Sequence, residues 1–255
     1  MILAIDIGNS NIVIGGVKEE KIIFEARLRT ETTKTSDQYC VDLKIILDVY
    51  GVDREEIEGT IIASVVPQVL NSMQTAVKKL TGKPCMVVGP GLKTGLNIRL
   101  ENPGQTGADL VVGCVAALKE HKPPMIVVDM GTATTMVVLD ETGALVGGSI
   151  SPGIKISMDA LTERTALLPG LQLDQPKKVI GRNTIDCMRS GIMYGAACML
   201  DGMIDRMEEE LGCKTTVIAT GGISKFVLPL CKKEILYDKD LLIKGLVALY
   251  HDNQH

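Results

Sequence analysis

Residues 5–11 read Ile5-Asp6-Ile7-Gly8-Asn9-Ser10-Asn11, and there an apolar run beginning at Ile2 stops on an aspartate, a glycine and three small polar residues. Apolar spacing resumes from Ile12 to Val17. Lys18-Glu19-Glu20-Lys21 supplies a polar turn, and Ile22 to Leu28 completes a three-strand meander. The same order recurs 123 residues later. Met125 to Asp129 is an apolar strand ending on aspartate, followed by Met130-Gly131-Thr132-Ala133-Thr134-Thr135. Met136 to Leu139 resumes the strand, Asp140-Glu141-Thr142-Gly143 turns, and Ala144 to Ile150 is the third strand. Asp6 aligns with Asp129, Gly8 with Gly131, Asn9 with Thr132 and Asn11 with Thr134. A strand–turn–strand unit repeated at nearly half the chain length predicts a duplicated domain, divided as 1–118 and 119–255.

Helical patterns fill the intervals. Apolar residues at 39, 43, 46, 47 and 50 give 36–50 a helical period, and 68–80 follows suit, with short strands at 60–66 and 85–88. Beyond the second copy, 159–165 reads as a short helix and 183–211 as a long one. In the latter, Gly191 and Gly195 lie one turn apart and leave room for close helix packing. Thr215 to Ala219 is a strand, Thr220-Gly221-Gly222 a sharp turn, and 239–250 a closing helix. The class is α/β.

Composition narrows the function. Apolar residues make up 45% of the chain, but there is no Trp and only two Phe, so the core must be aliphatic. A net charge of −4 without a basic stripe argues against a nucleic-acid surface. The seven cysteines are odd in number and none has CxxC spacing; the three histidines (121, 251, 255) lie far from any cysteine pair. Reduced thiols of a cytoplasmic protein are expected, and no zinc site. No apolar run reaches the roughly 18 residues of a membrane span. The start lacks a basic region and is broken by Asp6, so no signal peptide is expected.

The first turn has neither the GK[ST] of a P-loop nor a GxGxxG. It offers a carboxylate at a strand end, a glycine through which backbone can approach a ligand, and short donors at Asn9, Ser10 and Asn11. Asp6 would repel a phosphate but can hold the Mg²⁺ that binds one. One copy alone is an ordinary hairpin turn, since Asp, Gly and Asn favour turns; two copies at matching places favour a ligand site. Gly221-Gly222 would let a flat ring such as adenine lie against backbone, or is simply a turn. In Asn102-Pro103-Gly104-Gln105-Thr106-Gly107-Ala108-Asp109, the spacing of Val111, Cys114, Val115 and Leu118 puts Asp109 in the first turn of a helix. It is there either as a partner of the helix dipole or as a general base taking a proton from a hydroxyl.

These stretches, with Gly147-Gly148-x-Ile-x-Pro152-Gly153, Thr165-Ala166-x-Leu-Pro169 and Gly181-x-Asn-Thr184, occur in an order that resembles the type III pantothenate kinases over nearly the whole chain. The resemblance implies two ribonuclease-H-like domains of the duplicated, actin-like ATPase fold around a nucleotide cleft. It implies ATP-dependent phosphorylation of pantothenate, the first step toward coenzyme A, in a homodimer. It assigns the ATP phosphates to Asp6, Ile7, Gly8, Asn9, Ser10, Asn11, Ile12 and Val13, with Asp6 near Mg²⁺. Gly131, Thr132, Gly221 and Gly222 complete the nucleotide site. Asp129 would hold K⁺ or NH₄⁺. Gly107, Ala108, Asp109, Leu110 and Thr184 would line the pantothenate site, with Asp109 as proton acceptor.

Two positions depart from the family pattern. Leu110 stands where Gly-Ala-Asp-Arg is usual, and Met136-Val137 where Phe-Asp often follows Thr-Thr. Leucine gives no charge to a substrate carboxylate, and a lost charge-assisted hydrogen bond costs about 1.5–3 kcal/mol. Arg99, Arg164 and Arg182 are candidate replacements. Two alternatives follow from Leu110: a nucleotide-binding regulatory paralogue with weak or lost catalysis, and a kinase for another small hydroxy compound.

Overall fold

The computed structural model describes residues 1–165 and 167–254. Ala166, in the Thr165-Ala166-x-Leu-Pro169 motif, and His255 lie outside the described residues. Two compact units form, each built on one five-stranded sheet among the described residues.

The first unit comprises Met1–Leu96, Asn102–Lys119 and the segment from Asp240 onward. Its strands are β1 (Ile2–Ile7), β2 (Asn11–Lys18), β3 (Lys21–Arg29), β4 (Gly59–Ser64) and β5 (Met86–Val87), in the order β3-β2-β1-β4-β5. β1 is central, antiparallel to β2 and parallel to β4, which explains its unbroken burial. Alternation sends Leu3, Ile5 and Ile7 to one face, joined by Ile12 and Ile14 of β2. Helices α1 (Ser36–Val49) and α2 (Pro67–Thr81) cover that face with Tyr39, Leu43, Leu47, Val69, Met73 and Val77. α1 starts on a Thr35/Gln38 capping box. The β2–β3 hairpin turns on Glu19 and Glu20 at φ 51° and 62°, the two-residue turn that suits strand twist.

The opposite face of the sheet is covered by α7 (Leu241–Asp252) from the far end of the chain. A Cβ on Gly15 would lie 2.8 Å from Ile243, and one on Gly59 would overlap the Tyr250 ring. Gly245 of α7 in turn sits against the Val112 carbonyl of α3 (Ala108–Glu120). A division at 118/119 therefore separates the closing helix from the sheet it packs on. The missing side chains at Gly15 and Gly59 open the seat for α7, and a linear division of the sequence does not register them.

The second unit comprises Asn97–Glu101 and Glu120–Lys239. Its strands are β6 (Met125–Met130), β7 (Ala133–Leu139), β8 (Leu145–Pro152), β9 (Thr216–Thr220) and β10 (Leu236–Tyr237). They lie in the order β10-β9-β6-β7-β8. β6 is antiparallel to β7 and parallel to β9, so order and sense repeat those of the first sheet. The duplication read from the turns is a duplication of topology. Its side-chain alignment holds only as far as the glycine. Gly8 N–H donates to the Asn11 carbonyl, whereas Gly131 N–H donates to Ala133. The second turn is one residue shorter, so Asn11 corresponds to Ala133 and not to Thr134.

Between β8 and β9 run α4 (Ile154–Glu163) and α5 (Thr184–Leu211); α6 (Ser224–Val227) follows β9. α4 begins at Ile154, five residues before the expected helix, with Gly153 as its N-cap. Asn183 caps α5, accepting from the Asp186 N–H, and Gly212 ends it at φ 72°. Glu208, near the end of α5, is buried and takes Lys214 at 2.7 Å and the Thr215 N–H at 3.0 Å. Gly191 and Gly195 are exposed, and no described atom lies within 4 Å of a Cβ built on either. Among the described residues they face no neighbouring helix. Among the described residues no helix is long and apolar enough to cross a membrane.

Candidate active site

Asp6 is the penultimate residue of β1, flanked by Val13 of β2 and Ala63 of β4, and is buried. Beyond it the chain reverses over Asn9 and Ser10, both exposed. The turn is held from the end of β3. The Thr30 hydroxyl donates to the Gly8 carbonyl at 2.7 Å, and the Thr30 N–H donates to the Ser10 carbonyl at 3.1 Å. Ile7 and Ile12 are wholly buried in the core, so only their backbone can face a ligand. Asn11 is exposed and Val13 half-buried.

In the second unit Asp129 is the penultimate residue of β6, between Thr135 of β7 and Thr220 of β9. The turn 131–132 is shared with two other motifs. Gly153 N–H donates to the Thr132 carbonyl at 3.2 Å, and a Cβ on Gly153 would clash with that oxygen. Gly221 stands at φ 97°, and a Cβ there would lie 2.6 Å from the Met130 carbonyl and 2.8 Å from Asp129 Oδ1. Glycine is required at 221 on both counts. The Asp129 turn, Pro152-Gly153 and Thr220-Gly221 thus converge, although Asp129 and Thr220 are 91 positions apart in sequence. Gly222 is exposed beside them. Thr184, the first residue of α5, is exposed.

Asp109 is the second residue of α3, with Gly107 and Ala108 before it. Its Oδ1 accepts the Leu110 N–H at 2.8 Å. A Cβ on Gly107 would lie 2.5 Å from that oxygen, so the glycine makes room for the carboxylate. Burial pushes the Asp109 carboxyl above its ordinary range, outweighing the backbone N–H groups that stabilise its charge. Leu110 is half-buried.

Of the arginines offered as replacements for a cation at 110, Arg99 is paired with Asp140 at 2.9 Å in the second unit, and Arg164 and Arg182 are exposed. Sequence reasoning passed over three polar residues. Thr30 closes a strand and carries no motif. Thr106 Oγ1 is buried without a hydrogen-bond partner among the described residues. Arg189, on α5 with Thr184, has a buried Nε likewise unpartnered, and its ion pair to Asp186 is a loose 3.7 Å.

Both turns therefore present a carboxylate at a strand end with small residues and backbone behind it. Among the described residues no group of three or more His, Cys, Asp or Glu could hold a metal by itself. A lone carboxylate suits a cation that brings other ligands with it, as Mg²⁺ does with phosphate oxygens and water.

The match to known proteins agrees. Residues 2–206 fit the family described as type III pantothenate kinase. The chain belongs to the type III pantothenate kinase family. It is 42% identical over 253 residues to the Type III pantothenate kinase of Halalkalibacterium halodurans, covering 99% of this chain and 100% of that one. It is also 42% identical over 254 residues to that of Exiguobacterium sp., covering 100% of both chains. Among solved structures, the activator of the 2-hydroxyisocaproyl-CoA dehydratase from Clostridium difficile superposes with a TM-score of 0.59 at 13% identity, covering 98% of this chain and 93% of that one. That likeness is one of fold, the actin-like ATPase architecture of two ribonuclease-H-like units. The family segment ends at 206, before Thr220-Gly221-Gly222 and α7, but the curated relatives extend across both.

Proposed function

We propose that the protein transfers the terminal phosphoryl group of ATP to the primary hydroxyl of pantothenate, giving 4′-phosphopantothenate, the first step toward coenzyme A. The observation that carries this reading is the full-length identity of 42% to a Type III pantothenate kinase. Residues 6–13 receive the ATP phosphates, through exposed Asn9, Ser10 and Asn11 and the backbone of Ile7, Gly8, Ile12 and Val13. Asp6 holds Mg²⁺. Bound there, the ion neutralises phosphate charge. Asp129 holds the monovalent cation, K⁺ or NH₄⁺; Thr132 contacts ATP; Gly131, Gly221 and Gly222 give the nucleotide close access to backbone. Gly107 to Leu110 and Thr184 line the pantothenate site.

Phosphoryl transfer asks the protein for position and charge compensation rather than covalent chemistry. Asp109 orients the attacking hydroxyl and accepts its proton. Its burial serves this, since a carboxylate whose charged form is disfavoured is a stronger base. The protein acts in the cytoplasm as a homodimer, with the exposed glycine face of α5, at Gly191 and Gly195, packing against the partner.

Leu110 favours a second reading, a nucleotide-binding protein of this fold with weak catalysis or a different hydroxy acceptor. The test is ADP release from ATP, Mg²⁺ and pantothenate in K⁺ and in Na⁺, beside Asp109→Asn. Pantothenate-dependent turnover that needs K⁺ and is lost in the variant supports the kinase. ATP binding without turnover in the wild type sinks it in favour of the second reading.

A further inference from the structure

A phosphate-binding turn has to do two things with its backbone. It must direct N–H groups at the anion and turn carbonyl oxygens away, because a carbonyl facing a phosphate is repulsive. In the first turn three carbonyls are already committed. Gly8 O accepts the Thr30 hydroxyl at 2.7 Å, Ser10 O accepts the Thr30 N–H at 3.1 Å, and Asn11 O accepts the Gly8 N–H at 3.0 Å. A trans peptide sets its C=O and the next N–H on opposite edges. A Gly8 carbonyl held by Thr30 therefore aims the Asn9 N–H away from Thr30.

The turn needs such a hold. Two-residue hairpin loops favour positive φ at their centre, as Glu19 and Glu20 adopt in the next hairpin. Asn9 and Ser10 are not among the residues with positive φ. Thr30 is itself anchored from the core. The wholly buried Tyr39 donates its hydroxyl to the Glu31 carbonyl at 2.8 Å, and Lys34 ties Glu31 at 3.1 Å to Asp42 at 3.0 Å. The run from Tyr39 through Glu31 and Thr30 to Gly8 is continuous and lies in one unit.

We infer that Thr30 is a positioning residue for nucleotide phosphates: its hydroxyl holds the Gly8 carbonyl back so that the Asn9 N–H faces the anion. This rests on the reading of that turn as the phosphate site.

The experiment is calorimetric titration of Thr30→Val and Thr30→Ser with Mg-ADP and with adenosine, beside Asp6→Asn and Ser10→Ala. Valine keeps the β-branch and the backbone N–H but removes the donor. Thr30→Val is expected to weaken Mg-ADP about tenfold and leave adenosine unchanged, the loss of roughly one hydrogen bond's worth of binding. Thr30→Ser recovers most of the loss. In turnover the same change raises KM for ATP and leaves KM for pantothenate alone. Unchanged Mg-ADP affinity in Thr30→Val overturns the inference, as does an equal loss for ADP and adenosine without rescue by serine, which marks a merely structural role. Should Thr30→Val not fold, Tyr39→Phe decides: it removes both hydrogen bonds between the Tyr39 hydroxyl and Glu31 from the anchor without touching the turn. An ADP-to-adenosine ratio moved about threefold in the same direction supports the inference, and an unmoved ratio overturns it. If Asp6→Asn and Ser10→Ala leave Mg-ADP binding untouched, the phosphate reading fails and Thr30 with it. If they weaken it and Thr30→Val does not, only the role of Thr30 fails.

Discussion

Replacing Gly221 by alanine tests how the second unit assembles its turns. The backbone at 221 stands at φ 97°, where an L-residue is strained by about 1–2 kcal/mol. The added methyl would also meet the Met130 carbonyl at 2.6 Å and Asp129 Oδ1 at 2.8 Å. The carbonyl belongs to the central strand β6, paired with both β7 and β9, and cannot retreat; the carboxylate can swing. Overpacking of this kind costs about 1–3 kcal/mol. Together they predict a loss of about 2–5 kcal/mol, and at about 2–4 °C per kcal/mol a melting temperature lower by roughly 4–20 °C. With Asp129 as the proposed monovalent-cation ligand, its displacement also predicts a higher K⁺ concentration for half-maximal turnover. Gly202→Ala is the internal control. Gly202 lies inside α5 with nothing within 4 Å of its Cβ site. Alanine there should raise stability by about 0.4–1 kcal/mol through the unfolded chain. Calorimetric scans of the two variants should therefore move in opposite directions from one chemical change. Equal melting temperatures for Gly221→Ala and wild type would refute the packing argument; a normal K⁺ response in a destabilised variant would detach Asp129 from the cation.

Three other expectations concern charge. Leu110→Arg places a cation beside the proposed pantothenate site and should lower KM for pantothenate tenfold or more, by about one charge-assisted hydrogen bond; an unchanged KM in steady-state assays says another group already binds the carboxylate. In its proposed role as proton acceptor Asp109 works only when ionised, and burial raises its pKa. The acid limb of kcat/KM should accordingly fall above the ordinary carboxylate range, and Asp109→Asn should lower kcat by about 10²–10⁴ with the limb gone; a limb unchanged in the variant assigns it to another group. Burial pushes Glu208 up, but the Lys214 hydrogen bond, the Thr215 N–H and the charges of Lys214 and Lys233 outweigh it and hold it at about 2. Because the folded pKa is depressed, this stabilisation is present above the unfolded value near 4.5 and disappears as pH falls toward 2. Discounted for the exposed Lys214, it is worth about 2 kcal/mol. Urea titrations of Glu208→Gln and wild type should differ at pH 7 and converge near pH 2; a constant difference refutes the ionic account.

What the sequence made legible and what it hid follow a physical line. Period-two and period-3.6 patterns are local, so β1 to β3, their copies and the long helix could be read from spacing alone, and so could the Asp-x-Gly turns between them. The placement of α7 could not. Its apolar residues announce a helix, but its seat is made by absent side chains, at Gly15 and Gly59 in two strands that are far away in sequence. The same applies to the site. Asp6, Asp109 and Asp129 declare themselves by residue type and position. Thr30 does not, because a threonine closing a strand is ordinary, and its work depends on a 2.7 Å contact to a residue 22 positions earlier.

The one-residue difference between the turns bears on why a duplicated unit needs both copies. An aligned repeat with equal turns would present two equivalent sites. Instead the first turn is longer, keeps Asn9 and Ser10 exposed, and is braced from the edge of its sheet by Thr30. The second is shorter and is closed from two sides by Gly153 and Gly221, both packed so closely that no side chain fits. An open, donor-rich turn suits a bulky polyanion that brings its own cation. A tight turn walled by carbonyl oxygens beside one carboxylate suits a single, weakly hydrated monovalent cation. Exchange of the turns separates this from mere drift: deleting Ser10 to give the first turn the second's length should abolish Mg-ADP binding while the sheet, whose register is fixed beyond the turn by Ile7↔Ile12 and Asp6↔Val13, still folds. Retention of ADP binding in a folded deletion variant would mean that turn length carries no functional distinction, and the division of labour between the two carboxylates would have to rest on something other than backbone shape.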